Sequence, residues 1–189
     1  MLYSILRFIA AVLFKVFFRI EVEGRENIPS QEGFIIASNH LSNLDPIVLG
    51  VASPRKLHFL AKEELFKISL FSFLISRLGA LPLKRRQADV SALKESIKKL
   101  NQNQGLVIFP EGSRLNREKK VYAGVGFLIN KTKVKVVPSK IYNTDKVLPP
   151  GKIFPCFRKI RVVFGRPLIF SSSTSEEITS QIIKEIKSL

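Results

Sequence analysis

Six apolar runs of four or five residues recur along the chain, and this alternation limits its possible folds more than any other feature. The runs cover 34–37, 57–61, 80–83, 106–109, 134–137 and 160–164. Each is too short for a helix of ordinary length and suits a buried strand. Segments with helical patterning lie between them, at 46–51, 63–76, 88–101 and, more weakly, 124–130. Residues 175–189 read as a closing helix, with Ser175 as its cap and Glu176 and Glu177 in its first turn. The stretch 89–100 is the clearest amphipath, with Val90, Leu93, Ile97 and Leu100 on one face. Strands alternating with helices imply an α/β class: a single domain around a central mixed, largely parallel sheet flanked by helices. In such sheets chemistry sits on loops beyond the strand ends. No repeat or linker divides the 189 residues.

Residues 1–20 stand apart from this pattern. They are apolar except for Ser4, Arg7, Lys15 and Arg19, and they contain no acid. At about 100° per residue those four fall in a sector of roughly 120°. The pattern predicts an amphipathic helix lying in a membrane interface, with its basic residues toward lipid headgroups. Lys15 sits badly for a spanning helix, and the late charges do not fit a cleaved leader. A helix buried in the core is the other reading. The expected division is therefore an interfacial helix at 1–20 and a catalytic-type domain at 21–189.

The net charge is +16, a surplus that points to anionic partners such as phosphate-bearing substrates, an anionic membrane surface or nucleic acid. Six basic residues and no acid lie between Lys146 and Phe170. The single cysteine, Cys156, excludes a disulfide framework and a cysteine-rich zinc site. Two histidines, His40 and His58, leave little material for a transition-metal site, and no bound metal or cofactor is expected.

Three loops could carry chemistry. Asn39-His40 is followed by Asp45-Pro46 just after the run 34–37. Histidine is suited to take a proton near neutral pH, and a carboxylate within reach can fix its tautomer. On a regular helix a spacing of five would rotate by about 500° and separate the two, so they can meet only across a turn. Asp45-Pro46 is also a good helix start, with Asp45 as cap. The second loop, Phe109-Pro110-Glu111-Gly112-Ser113-Arg114, follows the run 106–109. Pro110 ends the strand, Gly112 lets the backbone turn, and Arg114 could take a phosphate bidentately. The third, from Gly79 to Lys84 and Arg85, delivers two cations to a strand exit. Polar turns and solvated cations remain the plain alternatives for the last two.

In this order and spacing the segments resemble the motifs of the glycerolipid acyltransferase family, whose best-known members are the lysophosphatidic acid acyltransferases. The family's first motif matches Asn39-His40 through Asp45 and its second Gly79 through Arg85. Its third matches Phe109 through Arg114, with serine at the variable position, and its fourth Val134 through Pro138. Gly165-Arg166-Pro167 and the stretch containing Lys62 are similar to further family segments. Lys84 before Arg85, Val121-Tyr122-Ala123 before Gly124, and Ser139 after Pro138 depart from the usual pattern and bear on substrate preference.

The resemblance implies acyl transfer from a thioester, on acyl carrier protein or coenzyme A, to the free hydroxyl of 1-acyl-glycerol-3-phosphate. It implies His40 as general base and Asp45 as its orienting group. It implies Asn39, Lys62, Arg85, Glu111, Gly112, Ser113 and Arg114 as the substrate-binding set. It also implies a peripheral or monotopic protein at the cytoplasmic face of a membrane, with the lipid surface, a lysophospholipid and an acyl carrier protein as partners and no nucleic acid. The other readings are a glycerol-3-phosphate or other lysophospholipid acyltransferase, or a non-catalytic basic protein binding membrane or nucleic acid.

Overall fold

A strand covered on both faces reads as a continuous apolar run. Phe34–Ser38 (β2) is such a strand, with every residue buried. It forms the middle of the sheet. The computed structural model describes residues 2–67, 69–84, 89–111, 124–149, 151–152, 154–171 and 173–189. In chain order the other elements are Leu2–Phe18 (α1), Glu21–Glu23 (β1), Asp45–Ala52 (α2), Leu57–Lys62 (β3), Ser69–Arg77 (α3), Ala80–Leu83 (β4) and Val90–Asn101 (α4). Gly105–Ile108 (β5), Gly124–Thr132 (α5), Lys135–Tyr142 (β6), Thr144–Val147 (α6), Arg161–Phe164 (β7) and Ser175–Ser188 (α7) follow.

Among the described residues, seven strands form one sheet in the order β1-β7-β6-β2-β5-β3-β4. Every pairing is parallel except β6 with β7. This is the mixed, largely parallel α/β arrangement that the alternation predicts. Alternate residues of β2 feed two cores. Phe34 and Ile36 join Val48 and Leu49 of α2 and Phe14 and Phe18 of α1. Ile35 and Ala37 join Leu100 of α4, Ile129 of α5, and Ile178 and Ile182 of α7. At Gly126 a Cβ would lie 2.2 Å from Ser175 O, so this glycine permits the close approach of α5 to the start of α7.

Several boundaries differ from expectation for identifiable reasons. β1 has no apolar run; its two glutamates pair with Lys159 and Arg161 at the sheet edge. β6 continues through Pro138. In a strand the N–H and C=O of one residue point the same way, and Pro138 O accepts Gly165 N at 2.7 Å. The missing donor therefore faces β7 at the end of its ladder, where little is lost. The cap of α7 is Thr174, in a reciprocal capping box with Glu177, one residue before the expected Ser175. The stretch 63–76 divides into a short 3-10 turn, Glu63–Lys67, and α3.

α1 corrects one expectation about its faces. Arg7 does not face outward: its guanidinium donates to Gly50 O and Ser53 O at the C-terminal end of α2. Arg19 leaves the helix altogether, with φ 44°. Phe14 and Phe18 enter the core, with Ala10 and Ala11 against it. The outward face holds exposed Ile5, Phe8, Ile9, Val12, Val16 and Phe17. α1 thus has an apolar face on the protein and a second apolar face uncovered. No described helix is long and apolar enough to cross a membrane.

Ile36→Ala should lower unfolding free energy by about 3 kcal/mol in urea titration, whereas the exposed Ile169→Ala should change it by less than about 0.5 kcal/mol. His58 supplies a pH test. Burial, aided by Lys99 and Lys56, holds its pKa below the ordinary 6.5. The folded state then binds fewer protons than the unfolded chain, so this contribution is intact above pH 6.5 and is lost as pH falls through the folded value. In thermal melts at descending pH, His58→Gln should flatten this acid decline.

Candidate active site

The strands β2, β5, β3 and β4 run parallel, so the segments after them emerge at one edge of the sheet. His40 leaves β2 there, Phe109 to Glu111 leave β5, Lys62 ends β3 and Lys84 follows β4. This edge is where an open α/β sheet places its chemistry.

The chain after β2 turns through 41–44 and enters α2 at Asp45. The turn brings the pair together: His40 Nδ1 lies 2.8 Å from Asp45 Oδ2. The same oxygen accepts Leu41 N–H at 2.6 Å and Ser42 N–H at 2.8 Å. The other oxygen, Oδ1, accepts Thr144 Oγ1–H at 2.6 Å. Asp45 is fully buried. A carboxylate acceptor on Nδ1 selects the tautomer with Nδ1–H and leaves the lone pair on Nε2. The Asp45 side chain therefore holds the turn behind it and does not cap α2, whose cap position is Leu44 with no side-chain bond.

Phe109 stacks on the imidazole, with ring centroids 4.0 Å apart and planes inclined by 16°. It covers one face of the ring and fixes its plane. Asn39 anchors the turn. Its Nδ2 donates to Ile141 O at 2.9 Å, and its Oδ1 accepts Ile141 N–H at 2.7 Å. Ser42 Oγ donates to Leu148 O at 3.1 Å. Three side chains thus tie the turn to the segment 141–148.

The other residues expected at the site stand as follows. Lys62 is exposed at the end of β3, opposite Leu83 in register. Lys84 lies 4.0 Å from Glu63 in an exposed pair, and its N–H donates to Asp89. Glu111 lines a cleft toward α7 with Ser38, Asn39, Lys140, Ile183 and Ile186. Arg85, Gly112, Ser113 and Arg114 lie outside the described residues. Sequence reasoning missed Thr144, 99 residues from Asp45, and the stacking role of Phe109. Thr144 has no local signal, but Phe109 could have been found from the parallel pairing of β2 and β5.

Thr144→Val should cost about 1–3 kcal/mol in denaturant titration, because it strips a donor from a buried carboxylate. Thr144→Ser should restore most of that loss. Asp45→Ala should move the His40 proton toward Nε2, visible as exchanged nitrogen shifts in 15N spectra of the imidazole.

A family model described as Acyltransferase matches residues 19–142. The 1-acyl-sn-glycerol-3-phosphate acyltransferase of Bacillus subtilis is 29% identical over 150 residues, which cover 79% of this chain and 73% of that protein. The chloroplastic 1-acyl-sn-glycerol-3-phosphate acyltransferase LPAT1 of Arabidopsis thaliana is 32% identical over 165 residues, 84% of this chain but only 46% of the plant protein. The crystal structure of the 1-acyl-sn-glycerophosphate acyltransferase PlsC from Thermotoga maritima superposes with a TM-score of 0.81 at 30% identity, covering 98% of this chain and 77% of that one. The family model spans the sheet from β1 to the end of β6, with the His40–Asp45 turn inside it, and the chain belongs to the acyltransferase family.

Proposed function

We propose that this acyltransferase moves a fatty acyl group from a thioester to the free hydroxyl of 1-acyl-glycerol-3-phosphate, giving phosphatidic acid. The observation that carries the reading is the 2.8 Å contact from His40 Nδ1 to a fully buried Asp45 carboxylate, in a chain of this family. His40 Nε2 takes the proton of the acceptor hydroxyl as its oxygen attacks the thioester carbonyl. A tetrahedral oxyanion forms and collapses, breaking the C–S bond. The thiolate leaves with the proton that the imidazolium returns. Asp45 keeps the ring in the productive tautomer throughout and faces the transient cation. A thioester is already activated, so no acyl-enzyme is needed. Acyl carrier protein and coenzyme A both fit as thiol carriers.

Arg85 and Arg114 are assigned to the acceptor phosphate, with Lys62 at the same strand edge, because guanidinium binds phosphate through paired donors. Glu111, Gly112 and Ser113 are assigned to the same substrate loop. The uncovered apolar face of α1 supports a membrane-surface location, where lysolipid and product reside.

His40→Ala should lower turnover at least about a thousandfold while circular dichroism stays unchanged. Near-normal turnover would remove His40 from the reaction. Arg114→Ala should raise the KM for the phosphate-bearing acceptor with a smaller effect on kcat. Removing residues 1–18 would open the core at Phe14 and Phe18, so the membrane test is the outward triple variant Phe8→Ser, Val12→Ser, Val16→Ser. It should remain folded and lose flotation with anionic vesicles; undiminished flotation would sink that location.

A further inference from the structure

The segment between α6 and β7 carries two phenylalanines that the acyl-transfer reading does not use. Phe154 is 83% exposed and Phe157 70% exposed. Bare aromatic side chains on a water-facing loop forgo a large apolar gain, so grouped ones mark a surface that is covered in use. The loop is anchored. Cys156 N–H donates to Val147 O at 2.7 Å, Asn143 Nδ2 to Lys159 O at 3.0 Å, and Ile160 N–H to Phe18 O at 3.0 Å. The backbone is therefore held on both sides of Phe157.

The loop adjoins α1 and the site. Phe157 stacks on Phe17 of α1 with centroids 5.4 Å apart, so the loop extends the uncovered apolar face of that helix. β7 runs antiparallel to β6, pairing Arg161 with Tyr142, so the loop before β7 lies at the sheet edge that bears His40. The turn after His40 is itself bonded to Leu148, where this segment begins. Exposed Lys152 and Arg158 flank the aromatics, and no acid occurs from Lys146 to Phe170.

We propose that residues 154–159, together with Lys152, form a second lipid-docking element, in which Phe154 and Phe157 enter an anionic bilayer surface while Lys152 and Arg158 meet its headgroups. The proposal rests on the membrane location of α1 and adds a second point of attachment on the active-site edge. By widening the contact beyond the helix toward the edge that bears His40, the loop restrains rotation of the domain about the axis of α1 at the lipid surface.

Cys156, the chain's single cysteine, allows a direct test. The full chain is labelled there with an environment-sensitive fluorophore and mixed with vesicles of phosphatidylcholine alone or with phosphatidylglycerol. The expected result is a blue shift on the mixed vesicles and a weaker one on the neutral vesicles. Unlabelled Phe154→Ser/Phe157→Ser should partition onto mixed vesicles roughly tenfold or more weakly, with unchanged circular dichroism. Flotation of the chain with no label response and no loss in the double variant overturns the loop's role and leaves α1 as the anchor. No flotation of the parent chain overturns the membrane location and the loop with it. A label response to a soluble acidic carrier protein, without one to vesicles, overturns the proposal in favour of a protein partner.

Discussion

A carboxylate sealed from water is tolerable only when donors surround it. Asp45 meets that condition with two backbone N–H groups of its own turn, the imidazole of His40 and the hydroxyl of Thr144. Each donor arrives from a different structural decision. The turn supplies Leu41 and Ser42, β2 delivers His40 to the sheet edge, and α6 brings in Thr144 from the far end of β6. The carboxylate therefore acts as a hub on which strand order, turn shape and imidazole orientation must agree. The residues around it point the same way, since Asn39 and Ser42 bind the backbone of the segment that holds Thr144.

What the sequence made legible follows from which interactions are local. The six strands with short apolar runs and the edge that carries the loops were readable, because side-chain period and strand burial are properties of short windows. The His40–Asp45 pair was readable as a possibility, since the residues between them could form a turn. The sense in which Asp45 is used was not. Capping a helix and holding an imidazole look alike in sequence, and only the direction of the carboxylate, back toward His40, Leu41 and Ser42, separates them. The resemblance implies Asn39 at the substrate; what only the fold shows is that both ends of its amide bond to Ile141. β1 escaped notice because a three-residue strand with two glutamates has no apolar run; its backbone pairs with β7 and Val22 packs on the core, while the glutamates meet Lys159 and Arg161. Thr144 escaped because nothing near it in sequence signals a partner 99 residues away.

α1 shows how a helical wheel can mislead when two surfaces compete for one helix. Gathering Ser4, Arg7, Lys15 and Arg19 on one side suggested a single polar face. The fold instead turns Arg7 inward, where the C-terminal carbonyls of α2 reward a cation. Arg25 does the same from the other side, donating to Ala52 O at 2.7 Å and Val51 O at 3.3 Å. Asp45 begins α2 and these two guanidinium groups close its end, so the helix that orients the imidazole is clamped at both termini. α1 is joined to the site through that clamp as well as through the core.

The carbonyl-bound cations also alter how the charge surplus should be understood. Arg7, Arg25 and Arg55 all reach main-chain oxygens, as do Lys133 at Ser171 and Lys140 at Lys187. The three arginines serve as part-buried struts and the two lysines as surface ties, and their positive charge is partly consumed by peptide dipoles. The field that an approaching anion meets is consequently set less by the total of +16 than by where the remaining lysines and arginines stand. Neutralising a strut would loosen the scaffold, while neutralising an unengaged surface cation would dim attraction alone, so equal changes in formal charge carry unequal consequences.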